Sequence, residues 1–302
     1  MTIEATAAVL YEPGSSFELK TVTLDDLRPD ELLIRVQACG ICHTDIAAQG
    51  LVTMPAILGH EGMGTVEQVG SGVEGIKVGD RVIASYGFCN ACPRCHEGRP
   101  FICDNSVQTN FAGTRLDGSH TTTLDGSDVT ASFFQQSTFA SHAITSFRNV
   151  VRVENSMESE LLAPLGCGIM TGAGTILNTF KVGAKDSLVV FGTGTVGLSA
   201  IMAARLAGAA PIIAVDINRA RLDLAQELGA THTLDATEGD VQSRIKDICP
   251  RGARFSFETS SAEQALNDAI DSLGMGGVCG MVTVPLYGEK YPITPFGVYI
   301  KA

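Results

Sequence analysis

The sequence predicts an α/β protein whose first half is mostly β and whose second half is a parallel sheet wrapped by helices. Three observations predict it. From about residue 160 onward, apolar strand-like runs alternate with helical stretches, the pattern of parallel strands joined by right-handed crossovers. The first 150 residues instead hold short β-branched runs broken by Gly, Pro and Asp, as in an irregular β-rich domain. A glycine-rich turn stands where the first strand of the second half meets its helix.

In the first half, strands are read in AAVLY, ELLIRVQACG, GMGTVEQVG and DRVIASY, with SGVEGIKVGD supplying turns. The polar stretch TRLDGSHTTTLDGSD reads as a surface loop or hairpin. In the second half, SLVVFG is a buried-type strand, TVGLSAIMAARLAGA a helix, PIIAVD a strand and RARLDLAQELGA a helix. ARFSFETS and GGVCGMVTV are later strands, with the helix AEQALNDAIDSLG between them.

A chain of 302 residues is long enough for two domains, and its 45% hydrophobic and 18% charged content suits packed cores rather than disorder. A formal charge of -12 disfavours nucleic acid and anionic membranes as partners of a basic surface. No run of 18 apolar residues suggests a membrane span. The N-terminus MTIEATAAVLYEPGSS lacks the basic start and apolar stretch of a secretion signal. The cytoplasm is therefore the expected location.

Gly192, Gly194 and Gly197 form GTGTVG directly between a strand and a helix. Asp216 ends the next strand, 19 residues beyond Gly197. That context, more than the glycines alone, predicts a dinucleotide site with pyrophosphate at the helix N-terminus. Asp216 would accept hydrogen bonds from ribose hydroxyls and repel a 2′-phosphate, which favours NAD over NADP. Arg221 is placed to add a ribose or phosphate contact. The competing reading is a structural glycine-rich turn.

Four of the nine cysteines, Cys89, Cys92, Cys95 and Cys103, fall within fifteen residues. The spacing C-x2-C-x2-C-x7-C suits a closed tetrahedral zinc site, with an iron–sulfur cluster as the rival. A more dispersed set comprises Cys42, His60, Glu61 and Cys167. Two thiolates and an imidazole would leave one position open, as catalytic zinc requires. Taken singly, each of these residues is ordinary.

In combination they are not. CGICHTD, LGHEGMGTVEQVG, the four-cysteine loop, GCGIMTGAG and FGTGTVGLSAIMAARLAGA occur in the order found in zinc-dependent medium-chain alcohol dehydrogenases, and the chain resembles that family throughout. The resemblance implies a GroES-like catalytic domain over residues 1–160 and a Rossmann NAD-binding domain over 161–302. It also implies C-terminal truncation, with the last strand of the coenzyme sheet and the return to the catalytic domain missing. GGVCGMVTV or a neighbouring segment should then have an uncovered edge. By the same resemblance, Cys42, His60 and Cys167 are catalytic-zinc ligands and Glu61 can approach the metal. Asp45 orients the imidazole, Thr44 takes the alcohol's proton, His43 contacts pyrophosphate, and Thr171 and Val196 lie beside the nicotinamide.

CHTDIAAQG, SFFQQSTFASHAI and PLGCGIMTGAGTILN resemble the aryl- and allylic-alcohol branch, as in benzyl alcohol and geraniol dehydrogenases. Phe133 and Phe134 match pocket positions, although both could equally be core residues. The implied reaction oxidises a primary aromatic or allylic alcohol with NAD, using two zinc ions per chain. The implied assembly of a full-length chain is a homodimer or homotetramer. Many relatives end the proton relay with a histidine three residues after the threonine, where this chain has Ala47. Two other readings stay open: a glutathione-dependent formaldehyde dehydrogenase, and an inactive NAD-binding protein.

Overall fold

The structure is a computed structural model that describes residues 3–154, 156–282 and 291–293. The chain divides into two compact units, Met1–Cys167 and Gly168–Ala302.

The first unit is built on ten strands among the described residues: β1 (Ile3–Leu10), β2 (Glu18–Leu24), β3 (Glu31–Gly40), β4 (Ala56–Ile57), β5 (Glu61–Val69), β6 (Arg81–Ala84), β7 (Thr122–Leu124), β8 (Ser127–Asp128), β9 (His142–Ser146) and β10 (Val150–Val153). They form two five-stranded sheets, ordered β4-β1-β2-β7-β8 and β10-β6-β5-β3-β9. Alternation along β1 buries Ala5, Ala7 and Val9 against Val22, Leu33 and Ile144, the pattern of a strand with one face in the core. Four short helices punctuate the sheets: α1 (His43–Ala47), α2 (Pro93–His96), α3 (Ser106–Phe111) and α4 (Ser159–Leu162). The stretch after residue 160 belongs to this unit because Leu162 and Ala163 are buried against Met63 of β5 and Ile83 of β6.

The second unit begins with α5 (Gly168–Gly174) and continues as strand and helix in turn: β11 (Leu188–Phe191), α6 (Thr195–Leu206), β12 (Ile212–Asp216), α7 (Arg219–Leu228), β13 (His232–Asp235), α8 (Val241–Ile248), β14 (Ala253–Glu258), α9 (Glu263–Asp271) and β15 (Leu273–Met281). The five strands are parallel, in the order β13-β12-β11-β14-β15. Buried residues divide by parity. Leu188, Val190, Ile212 and Ala214 pack with Ala200, Ile201 and Ala204 of α6 and Leu222 of α7. Val189, Phe191, Ile213 and Val215 pack with Val241 and Ile245 of α8 and Ala269 of α9. Helices therefore cover both faces, which makes the sheet doubly wound. The order reverses between β11 and β14, and GTGTVG follows β11 at that switch point, where α/β sheets bind ligands.

β13 and α8 go beyond the elements read from sequence. The stretch expected as a surface loop or hairpin ends in the β7–β8 hairpin, in which Thr123 pairs with Asp128. It is not all surface, because Arg115, Thr121 and Thr122 are buried. GGVCGMVTV begins within β15, the outermost strand on its side among the described residues. Residues 283–284 of that segment lie outside the described residues.

Candidate active site and metal centres

β3 and β5 run antiparallel with Gly40 opposite Glu61 and Cys39 opposite Gly62. The end of one strand therefore delivers Cys42 beside the start of the next, which carries His60 and Glu61. The approach is close: a Cβ on Gly40 would lie 2.0 Å from Glu61 Oε2. Gly59, at φ +90°, turns the chain into β5 where a Cβ would meet Phe139 at 2.5 Å, so only glycine fits before His60. Gly166 packs against the backbone of β6, where a Cβ would lie 2.1 Å from Ala84 O. Ser85 Oγ donates to Gly166 O at 2.8 Å. This anchor sets Cys167 beside the other donors.

The result is a set of Cys42, His60, Glu61 and Cys167 whose ligand atoms all lie within 4.8 Å of one another. His60 is 1% exposed. Its Nδ1 lies 2.9 Å from Asp45 Oδ1, so the ring N–H belongs on Nδ1 and a lone pair on Nε2. Nε2 is buried and has no hydrogen-bond partner. An orphaned buried acceptor beside two sulfurs and a carboxylate is costly unless a cation occupies the space between them, and this donor set suits zinc. The protons respond to the same crowding. A hydrogen bond from the Cys167 thiol, opposed by burial and helped by His60, brings Cys42 down to about 3. The same bond and burial push Cys167 well above the usual thiol range. Burial lowers the His60 pKa, but Asp45 and the Cys42 sulfur outweigh it and raise the ring to about 9, so a cation binding at the Nε2 lone pair competes with a proton there.

Asp45 is the organiser of the set. It sits 2% exposed in α1. Its Oδ2 accepts from Cys42 N at 2.9 Å, and its Oδ1 accepts from Gly59 N at 3.1 Å and faces the imidazole. Thr44 is half-buried and His43 exposed on the same short helix. Of the two phenylalanines expected at a pocket, Phe133 is 0% exposed and packs with Leu10, Leu58 and Val52, so it presents no surface to a ligand. Phe134 is half-buried and stacks on His60 with centroids 4.5 Å apart.

Cys89, Cys92, Cys95 and Cys103 form the second set. Their sulfurs are 3.5 Å apart in the Cys92–Cys95 and Cys103–Cys89 pairs and 4.0 Å apart in the Cys89–Cys95 and Cys92–Cys103 pairs. The edge of a tetrahedron with metal–sulfur bonds of ~2.3 Å is about 3.8 Å, so one ion fits and a multi-iron cluster does not. Backbone amides of Cys89, Ala91 and Asp104 donate to the sulfurs. Burial opposes ionisation of Cys89, yet Asn105 and the Ala91 and Cys92 amides bring it to about 6. Burial and the neighbouring Cys92 push Cys95 up to about 12.

In the second unit the three loop glycines divide the work. Gly192 has φ +88°, and a Cβ on Gly197 would lie 1.9 Å from Gly192 O. Gly194, the N-cap of α6, has nothing within 4 Å of its Cβ position and leaves room for a ligand. Asp216 ends β12 at 8% exposure. Its Oδ2 accepts from Thr193 N at 2.6 Å and Thr193 Oγ1 at 2.8 Å, and its Oδ1 accepts from Asn218 N at 2.9 Å. Burial alone would raise its pKa, but these donors and the charge of Arg221 lower it. Thr171 and Val196 lie on adjoining helices, because Gly172 lets α5 approach α6 to where a Cβ would be 2.1 Å from Val196 O.

Sequence reasoning missed Gln136, which is 0% exposed. Its Oε1 accepts from Gly62 N at 3.1 Å and its Nε2 donates to Ser85 O at 2.9 Å, tying the His60 strand to the end of β6. Phe111 was missed as well. Its ring braces Phe134 at 5.3 Å. Neither residue carries a spacing signal, since each is one polar or aromatic residue among several.

The profile of the alcohol dehydrogenase GroES-like domain matches residues 28–154, and that of the zinc-binding dehydrogenase domain matches residues 195–300. Geraniol dehydrogenase of Castellaniella defragrans is 42% identical over 97% of this chain and 79% of its own. The crystal structure of an alcohol dehydrogenase zinc-binding domain protein from Burkholderia ambifaria matches with TM-score 0.95 and 40% identity, over 100% of this chain and 82% of its own. Benzyl alcohol dehydrogenase of Acinetobacter calcoaceticus matches with TM-score 0.93 and 38% identity, over 99% of this chain and 82% of its own. Two consecutive family profiles and near-complete alignment to such relatives agree with the metal-donor geometry, and the chain belongs to the zinc-dependent medium-chain alcohol dehydrogenase family.

Proposed function

We propose that the chain oxidises primary aromatic or allylic alcohols to their aldehydes, with hydride transfer to NAD and with one catalytic and one structural zinc ion. The observation that carries the reading is the His60 imidazole, fixed by Asp45 with its orphaned Nε2 turned to Cys42 and Cys167. Zinc held by Cys42, His60 and Cys167 supplies Lewis acidity that lowers the pKa of an alcohol oxygen. Glu61, within the same cluster, is a further carboxylate that can approach the ion.

The chain's own residues do the rest. Asp45 holds the imidazole tautomer. The Thr44 hydroxyl accepts the alcohol's proton and passes it on. Ala47 offers no imidazole, so the proton leaves through solvent or by way of the exposed His43. The half-buried Phe134 offers an aromatic face to a conjugated substrate. Gly194 leaves the N-terminus of α6 open to pyrophosphate. Asp216 keeps acceptor capacity at Oδ1 for a ribose hydroxyl and repels a 2′-phosphate. The names of the geraniol and benzyl alcohol dehydrogenase relatives support the substrate class.

Steady-state kinetics with both cofactors test this. Benzyl and allylic alcohols should show higher kcat/KM than ethanol, with NAD preferred over NADP. Ethanol or S-hydroxymethylglutathione as the best substrate would refute the substrate class, and equal efficiency with NADP would refute the role of Asp216.

A further inference from the structure

Backbone strain concentrates beside the Cys42–His60–Cys167 set. Phe134, Gln135 and Ser137 have φ of 52°, 53° and 48°. That left-handed region is unfavourable for residues with a Cβ and persists only where the surroundings enforce it. Here they do. Ser137 Oγ accepts from Phe133 N at 2.8 Å and donates to Ile57 O at 2.7 Å. Asn149 Nδ2 donates to Gln135 Oε1 at 2.8 Å. Gln136 is bonded on both sides of its amide. The conformation delivers the Phe134 ring face-on to the His60 imidazole, with an interplanar angle of 26°. Phe133 meets the same imidazole nearly at right angles, 86°. Phe134 is itself braced by Phe133 at 4.8 Å and Phe111 at 5.3 Å.

The imidazole needs such a constraint. The Asp45 hydrogen bond fixes the direction of Nδ1 but leaves rocking about that bond, because the terminal torsion of histidine is broad. A ring stacked on one face removes the rocking and fixes where Nε2 points.

We propose that Phe134 is a positioning residue: its ring clamps the His60 imidazole and so governs how firmly the Cys42–His60–Cys167 set retains its metal. This rests on reading that set as a zinc site. It goes beyond a role as pocket wall, which by itself would change KM for bulky alcohols and leave metal retention alone.

The test follows zinc release to a colorimetric chelator from the 302-residue chain, comparing wild type, Phe134→Leu and Phe134→Tyr. Leucine keeps apolar bulk and loses the ring face. The four-cysteine zinc serves as internal control, and the visible spectrum of cobalt-substituted protein reports ligand geometry. Phe134→Leu should release the first zinc about threefold to tenfold faster, the range set by one aromatic pair, with a shifted cobalt spectrum. Phe134→Tyr should match wild type, and the control zinc should be unchanged in both. Wild-type release and spectrum in Phe134→Leu would overturn the proposal, as would loss of both zincs together, which would indicate a general folding role. A wild-type protein that holds metal only at the four cysteines would overturn the zinc reading itself, and the proposal with it.

Discussion

Asp45 concentrates three tasks in one carboxylate: it holds the Cys42 amide, the Gly59 amide and the His60 ring. Asparagine keeps its shape but not its charge. Asp45→Asn should therefore lower affinity at the Cys42–His60–Cys167 set about tenfold to a hundredfold, the usual cost of changing a partner of a metal-ligating histidine. Competition with a chelator would measure it, and the four-cysteine ion should be unaffected. Asp216 carries a similar double load. Because its Oδ2 also holds Thr193 inside the glycine loop, Asp216→Ser should do more than admit a 2′-phosphate. It should loosen the loop and weaken NAD binding by about 1–3 kcal/mol, the cost of leaving buried donors unmatched, while NADP binding gains little. A fluorescence titration with each cofactor checks this; unchanged NAD affinity would show that Thr193 finds another acceptor.

Single elements fail in predictable ways. In α6, a methyl at Gly197 would lie 1.9 Å from the backbone oxygen of Gly192, and backbone cannot yield as a side chain can. Gly197→Ala should cost about 1–3 kcal/mol as overpacking and impair cofactor binding, seen together in a denaturant melt and a cofactor titration. In the first unit, buried Arg115 reaches from the stretch before the β7–β8 hairpin to Glu31 at 2.6 Å and Asp25 at 2.7 Å. Arg115→Met would leave Glu31 buried without its partner and should cost about 3–5 kcal/mol. A loss below 1 kcal/mol would mean that water replaces the guanidinium. What the sequence revealed follows the same division between local and distant. GTGTVG with Asp216, and the four-cysteine loop, were legible because each lies within one short stretch whose spacing states its geometry. Most strands of the second unit were legible as apolar runs, but half-exposed β13 and the polar α8 lack that pattern. β2, β4, β9 and β10 are short or half-exposed and were missed, while the β7–β8 hairpin was read only as a surface loop or hairpin. The Arg115 network was hidden in a segment that looked purely polar, and the Phe134 stack depends on positive φ at residues that rarely adopt it.

Both metal-donor sets lie within Met1–Cys167, and the glycine loop with Asp216 lies within Gly168–Ala302. Stripping metal should therefore abolish turnover and leave cofactor binding measurable, since among the described residues neither donor set belongs to the cofactor unit. The two donor sets also differ in how far apart their members stand along the chain. Cys89 to Cys103 is a local loop, whereas Cys42 and Cys167 come together only through the pairing of β3, β5 and β6 in one sheet. Closing a short loop is easier and faster than assembling a distant set. During synthesis the four-cysteine loop can capture its ion soon after Cys103 emerges, while the other set must wait until Cys167 is made. Metal loading should then follow a fixed order during biogenesis. A chain refolded with one equivalent of zinc should accumulate as a half-loaded, inactive species, and addition of the second equivalent should then switch on activity without a further folding phase.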